Sequence, residues 1–110
     1  MPDTWPCVLD IDLDAIAANW HSLQPGPIAA VVKADAYGLG ARRVAARLHQ
    51  EGARHFFVAH PDEALAIRDV VPGAMVAVLN GLWPGHAPML ASNGITPVLG
   101  SLQELSLIHI

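Results

Sequence analysis

Ile28-Ala29-Ala30-Val31-Val32-Lys33-Ala34-Asp35-Ala36-Tyr37-Gly38-Leu39-Gly40 carries the chain's one lysine and its one tyrosine, four residues apart. Small and β-branched residues up to Val32 spell a buried strand, Ile28 to Lys33. Gly38 and Gly40 spell a tight turn into a following helix. Lys33 is thereby expected at the carboxyl end of a buried strand, the end where α/β proteins gather their chemistry. A lysine in a dry pocket can lose its proton and act as a nucleophile or base.

Outward from this segment, strands and helices alternate. Upstream, Val8 to Ile11 is a short strand candidate, and Asp12-Leu13-Asp14 opens a helix through Ile16, Asn19 and Leu23 with an acidic first turn. Gln24-Pro25-Gly26-Pro27 breaks it. Downstream, Ala41 to Glu51 is a helix with Val44 and Leu48 on one face, ended by Gly52. Phe56 to Ala59 is a strand, Pro61-Asp62-Glu63 starts a helix through Val70, and Met75 to Leu79 is a strand. His86 to Ser92 is a short helix. Ile95 to Leu99 is a strand whose Pro97 argues against a central position. Ser101 and Glu104 stand at capping-box spacing before another helix.

Such alternation argues for βαβ units and a parallel sheet, with apolar strands covered on both faces. Two α/β architectures compete: an open doubly wound sheet and a (β/α)₈ barrel. A barrel needs roughly 250 residues, and the chain has 110.

Composition narrows the function classes. The chain is 53% hydrophobic and 15% charged, with net charge −4, so it is no disordered tail and offers no basic footprint for nucleic acid. A single cysteine, Cys7, cannot close an internal disulfide, which fits a reducing compartment. No apolar run approaches the roughly 20 residues of a membrane span, and the first residues lack a signal-peptide pattern. A cytoplasmic location is the expectation.

The core Lys33-Ala34-Asp35-Ala36-Tyr37-Gly38 resembles the cofactor-lysine motif of alanine racemases that use pyridoxal phosphate. Further stretches are similar in the same order: Val8 to Asn19, Phe57 to Arg68, Leu79-Asn80-Gly81, and Ile95 to Ser101. The match covers about residues 5 to 104. One departure is Leu39, where the family very often has His between the two glycines. The last six residues, Leu105 to Ile110, read instead as an artificial tail, similar to the translation of a transposon-end adaptor from sequencing libraries. The expected division is therefore 1–104, part of an alanine racemase amino-terminal barrel domain, and 105–110, tail.

The resemblance implies the amino-terminal part of a (β/α)₈ TIM-type barrel, about the first four β/α units, in a protein that is a homodimer with a second, β-rich domain. It implies that Lys33 holds pyridoxal 5'-phosphate covalently and serves as acid and base on the D-alanine face of an amino-acid substrate. Tyr37 would hydrogen-bond the cofactor phosphate. A second base, a tyrosine, would come from the partner's β-rich domain. The reaction implied is interconversion of L- and D-alanine, supplying D-alanine to peptidoglycan, with the 110-residue piece inactive by itself. Alternatives are another amino-acid racemase or a decarboxylase of the same fold type, and a non-enzymatic pyridoxal-phosphate carrier.

Blander roles compete at several positions. A lone lysine at a strand end is commonly an ion-paired surface residue, and Tyr37 alone reads as a boundary residue with a wet hydroxyl. Asp35 either pairs with Lys33 or caps the chain. Gly38 and Gly40 make no dinucleotide fingerprint. His49, His55 and His60 lack zinc spacing, so no metal is expected. Arg42, Arg43 and Arg47 read as a solvated helix face.

Overall fold

In the computed structural model, which describes residues 6–108, four strands form one sheet in the order β1-β2-β3-β4, every neighbouring pair parallel. The strands are β1 (Ala30–Val31), β2 (His55–Val58), β3 (Met75–Val78) and β4 (Ile95–Pro97). Strictly sequential parallel order separates the two architectures. A doubly wound sheet reverses its strand order at a switch point, whereas a barrel adds each strand beside the last. The chain is thus an α/β segment of a (β/α)₈-type barrel, and all four carboxyl strand ends lie along one edge.

The sheet aligns its apolar side chains in rows. Ala30, Phe56, Val76 and Ile95 stand side by side in register, and all four are buried. Helices cover this row. In α3 (Ala41–Glu51), Ala41, Val44, Ala45 and Leu48 face inward, the one-sided pattern of an amphipathic helix. Gly52 ends it at φ 116°, a left-handed cap that costs an L side chain dearly and glycine little. In α4 (Pro61–Arg68), Ala64 and Ile67 do the same. Leu90 buries α5 (Ala87–Ser92). Phe56, Val58, Ile67, Val71, Val76 and Val78 are fully enclosed.

Helix starts follow their capping chemistry. The carboxylate of Asp12 accepts from the Ala15 amide at 3.0 Å and opens α1 (Leu13–Ser22). The Ser101 hydroxyl accepts from the Glu104 amide at 3.1 Å at the start of α6 (Leu102–Ile108), while the Glu104 carboxylate reaches back to the Gly100 amide rather than to that of Ser101.

Three expectations are corrected. Val8 to Ile11 is not a strand: it has no ladder partner among the described residues, and Val8 and Leu9 are exposed. The first strand is shorter than Ile28–Lys33, because the Val32 amide makes the last bond to β2, to the Phe57 carbonyl at 2.9 Å, and the backbone then enters the turn described below. The sheet is also not covered equally on both faces. The row opposite the helices contains Val31 at 45% exposure, on the face that in a closed barrel meets strands from across the axis.

Candidate functional site at the carboxyl end of β1

Lys33 stands one residue beyond β1, after Val32, and begins α2 (Lys33–Tyr37), a single turn wound the wrong way. Ala34, Asp35, Ala36 and Tyr37 all have φ between 52° and 57°. Left-handed backbone costs an L residue roughly 1–2 kcal/mol, so four in a row persist only where neighbours hold them. The turn supplies part of this hold itself. The Ala36 amide donates to the Val32 carbonyl at 2.9 Å, and the Gly38 amide to the Ala34 carbonyl at 3.0 Å. Gly38, at φ 87°, ends it in a conformation that glycine adopts readily.

Two carboxylates supply the rest. Asp35 Oδ1 accepts from the Ala41 amide at 2.8 Å, tying the turn to the first residue of α3. This resolves its alternatives in favour of the cap. Glu63, on α4, accepts from the Ala34 amide through Oε2 at 2.6 Å, and from the Ala59 and His60 amides through Oε1 at 2.8 Å each. Glu63 is absent from the sequence-based candidates, where it reads only as a helix-opening acid. The signal available was its place at N3 of the helix leaving the neighbouring strand.

The handedness of the turn brings the two candidate residues together. Lys33 Nζ lies 6.0 Å from the centroid of the Tyr37 ring. Lys33 is half-buried and Tyr37 is 63% exposed, so both present polar atoms at the strand-end edge of the sheet. Four of the five arginines are engaged elsewhere. Arg42 grips Asp69 through two bonds of 2.7 and 3.0 Å and also donates to the Ala66 carbonyl. Arg47 binds Asp14 and Glu51. Arg54 and Arg68 donate to backbone carbonyls. The arginine face expected from sequence is solvated at Arg42 and Arg43 and half-buried at Arg47, and Arg42 and Arg47 in addition tie α3 to its neighbours.

The remaining candidates disperse. His49 meets the Pro72 carbonyl at 2.9 Å, and His60 lies 3.3 Å from the Asn80 amide nitrogen. Among the described residues, no three His, Cys, Asp or Glu side chains converge as metal ligands, and no helix is long and apolar enough to cross a membrane. Trp83 is 61% exposed on the β3–α5 loop.

A parallel sheet wound in sequence, with an amine and a phenol near one another at its carboxyl edge, defines a barrel-type protein. The family follows from comparison. The model of the family described as "Alanine racemase, N-terminal domain" matches residues 11–109, and the chain belongs to that family. It is 50% identical over 97 residues to an alanine racemase of Acidiphilium cryptum, a match covering 86% of this chain and 27% of that protein. The chain thus spans about a quarter of the length of that relative. Among solved structures, an alanine racemase from Bartonella henselae with covalently bound pyridoxal phosphate superposes with TM-score 0.82 at 42% identity, over 87% of this chain and 28% of that one. A histidine racemase from Leuconostoc mesenteroides superposes with TM-score 0.66 at 29% identity, over 86% and 25%.

Proposed function

We propose that the protein containing this chain is an alanine racemase that uses pyridoxal 5'-phosphate held by Lys33. The observation that carries the reading is Lys33 itself: the one lysine, placed at a barrel-strand end beside Tyr37, in a chain half identical to an alanine racemase. The residues present fit the cofactor. An amine at a strand end suits its aldehyde, and an exposed phenol on the same rigid turn suits its phosphate. When bound, pyridoxal phosphate supplies an electron sink for the carbon that loses its α-proton.

The chain's own residues supply the rest. The Lys33 amine would hold the cofactor through its aldehyde and, when free, would take the α-proton on the D-alanine face and return it there in the reverse direction. It must be uncharged to accept that proton. The Tyr37 hydroxyl donates to the phosphate and anchors the cofactor. The left-handed turn fixes the spacing of both groups, so neither needs to reorganise during proton transfer. The opposite face needs a second base, a tyrosine from the partner of a homodimer. The product feeds peptidoglycan from the cytoplasm. The isolated 110-residue piece is inactive and poorly soluble, because β1 and β4 leave open sheet edges and Val31 lies uncovered.

The test is to express the full-length protein and its Lys33→Ala variant, and to record cofactor absorbance and D-alanine formation from L-alanine. A coloured protein that racemises alanine, with both properties lost in the variant, supports the reading. A coloured protein inactive on alanine moves the substrate to another amino acid, a second reading favoured by the likeness to a histidine racemase. A coding length near that of the barrel alone would favour the carrier.

A further inference from the structure

We propose that Glu63 is a positioning residue for Lys33, acting through the backbone; this rests on the cofactor reading above. An ordinary capping box uses its acidic side chain to satisfy one amide, that of its own N-cap. Glu63 does this for His60 and takes two further amides, Ala59 at the end of β2 and Ala34 on the neighbouring β1 turn. The bond to Ala34 is the shortest of the three and the only one that crosses between β/α units. Ala34 follows Lys33 immediately and is the first of the four left-handed residues.

Its geometry explains why the hold is needed there. The backbone passes from extended at Val31 to left-handed at Ala34 within three residues. The Ala34 amide is thus at the start of the turn, where a helix leaves its first N–H groups without internal partners. A carboxylate is the strong acceptor for such a group. With Glu63 at the start and Asp35 at the end, the turn is pinned on both sides. Only the Glu63 pin adjoins the lysine, and it therefore governs where the Lys33 side chain leaves the backbone.

Glu63→Gln keeps the shape but offers one acceptor oxygen and turns an N–H₂ group toward amide donors. In the full-length protein, three readouts are compared for wild type, Glu63→Gln and Asp62→Asn. They are cofactor affinity by titrating the apo-protein with pyridoxal phosphate, α-deuterium isotope effects from D- and L-alanine, and thermal midpoint. Misplacing the amine is expected to weaken cofactor binding and slow D-alanine turnover about 10- to 100-fold. The isotope effect should rise from D-alanine, whose label leaves to Lys33, and should fall rather than rise from L-alanine, whose label leaves to the opposite base before the slowed Lys33 step. Asp62→Asn, which removes the adjacent carboxylate, should move none of these.

Glu63→Gln with wild-type cofactor affinity and isotope effects, whatever its thermal midpoint, would overturn the proposal and leave Glu63 a helix cap. Equal changes from both substrates would also overturn it, as general loosening. Should Glu63→Gln not fold, Glu63→Asp gives the same readouts, since it retains a helix-start charge but is one methylene too short to span both turns. Borohydride trapping of wild type, with the adduct located by mass spectrometry, comes first. Failure to find the cofactor on Lys33 removes the cofactor reading and this proposal together, and is seen before any variant is made.

Discussion

The connections that leave β1 and β2 solve the same problem in opposite ways. After β2, two residues, Ala59 and His60, carry the chain into α4, and His60 has an ordinary extended backbone. After β1, the chain makes a full left-handed turn and two glycine-containing steps before α3 begins at Ala41. The first connection is short and satisfied by its own capping box. The second is strained, presents an exposed tyrosine, and borrows Glu63 from the first. The difference teaches how a parallel sheet holds a strained strand-end turn: one turn is built for economy, and its surplus hydrogen-bonding capacity stabilises a neighbour that is not.

The largest expected stability effect breaks that contrast from the strained side. Ala36 is 4% exposed and left-handed at φ 56°. Ala36→Val places a branched side chain where both the backbone and the core resist it, and should destabilise the full-length protein by about 2–4 kcal/mol. Urea unfolding measures it. A change within about 0.5 kcal/mol, the range of an innocuous surface substitution, would mean that the turn readily adopts another hand.

Asp35→Ala should come next. It removes the acceptor of the Ala41 amide, a loss resembling that of a helix N-cap, typically about 1 kcal/mol. Asp35→Asn retains an acceptor oxygen and should stay close to wild type in the same unfolding experiment.

A sharper form of the comparison uses one chemical change in both places. Ala34 is exposed and left-handed, whereas Ala66 is exposed within right-handed α4. Ala66→Gly should cost about 1 kcal/mol, the usual penalty inside a helix. Ala34→Gly relieves left-handed strain of roughly 1–2 kcal/mol against an unfolded-chain entropy cost of about 0.5–1 kcal/mol. It should be neutral to stabilising. Opposite signs for the two substitutions would establish that the turn's hand, and not its composition, sets the response; equal losses would refute it.

These sites also mark how far the sequence could be read. The elements were legible wherever hydrophobic period and punctuation agree: α3 runs Ala41 to Glu51 and stops at Gly52, as its amphipathic face and glycine predict. The position of Lys33 at a strand end was legible for the same reason. The left-handed turn was not, because Ala34, Asp35 and Ala36 carry no glycine to announce positive φ. Its first left-handed residue is tied to a carboxylate 29 residues away. Val8 to Ile11 shows the opposite failure, an apolar pattern with no partner among the described residues. Arg42 and Arg47 were illegible as ties because their partners, Asp69 at the end of α4 and Asp14 on α1, are distant in sequence.

Those ties give the smallest expected effect, and a pH dependence with a definite sign. Hydrogen bonding from His21 and then Arg47 holds the Glu51 carboxyl below its ordinary value of 4.5. The Arg42 guanidinium holds that of Asp69 below 3.8. A carboxyl depressed in the folded state binds its proton more weakly there than in the unfolded chain. Its contribution is therefore fully present above the unfolded value and is lost as pH falls through the folded one. The Arg42–Asp69 pair is solvent-exposed and the Arg47–Glu51 pair only half-buried, so the loss should be slight and should shrink further in added salt. The urea midpoint of the full-length protein, followed from neutral pH to below these carboxyl values, should fall less in an Arg42→Ala, Arg47→Ala double variant than in wild type. An identical pH slope in both would mean that the two arginines tie nothing in solution. In that case the link between α3 and α4 would rest on their apolar faces and on the turn that Glu63 holds.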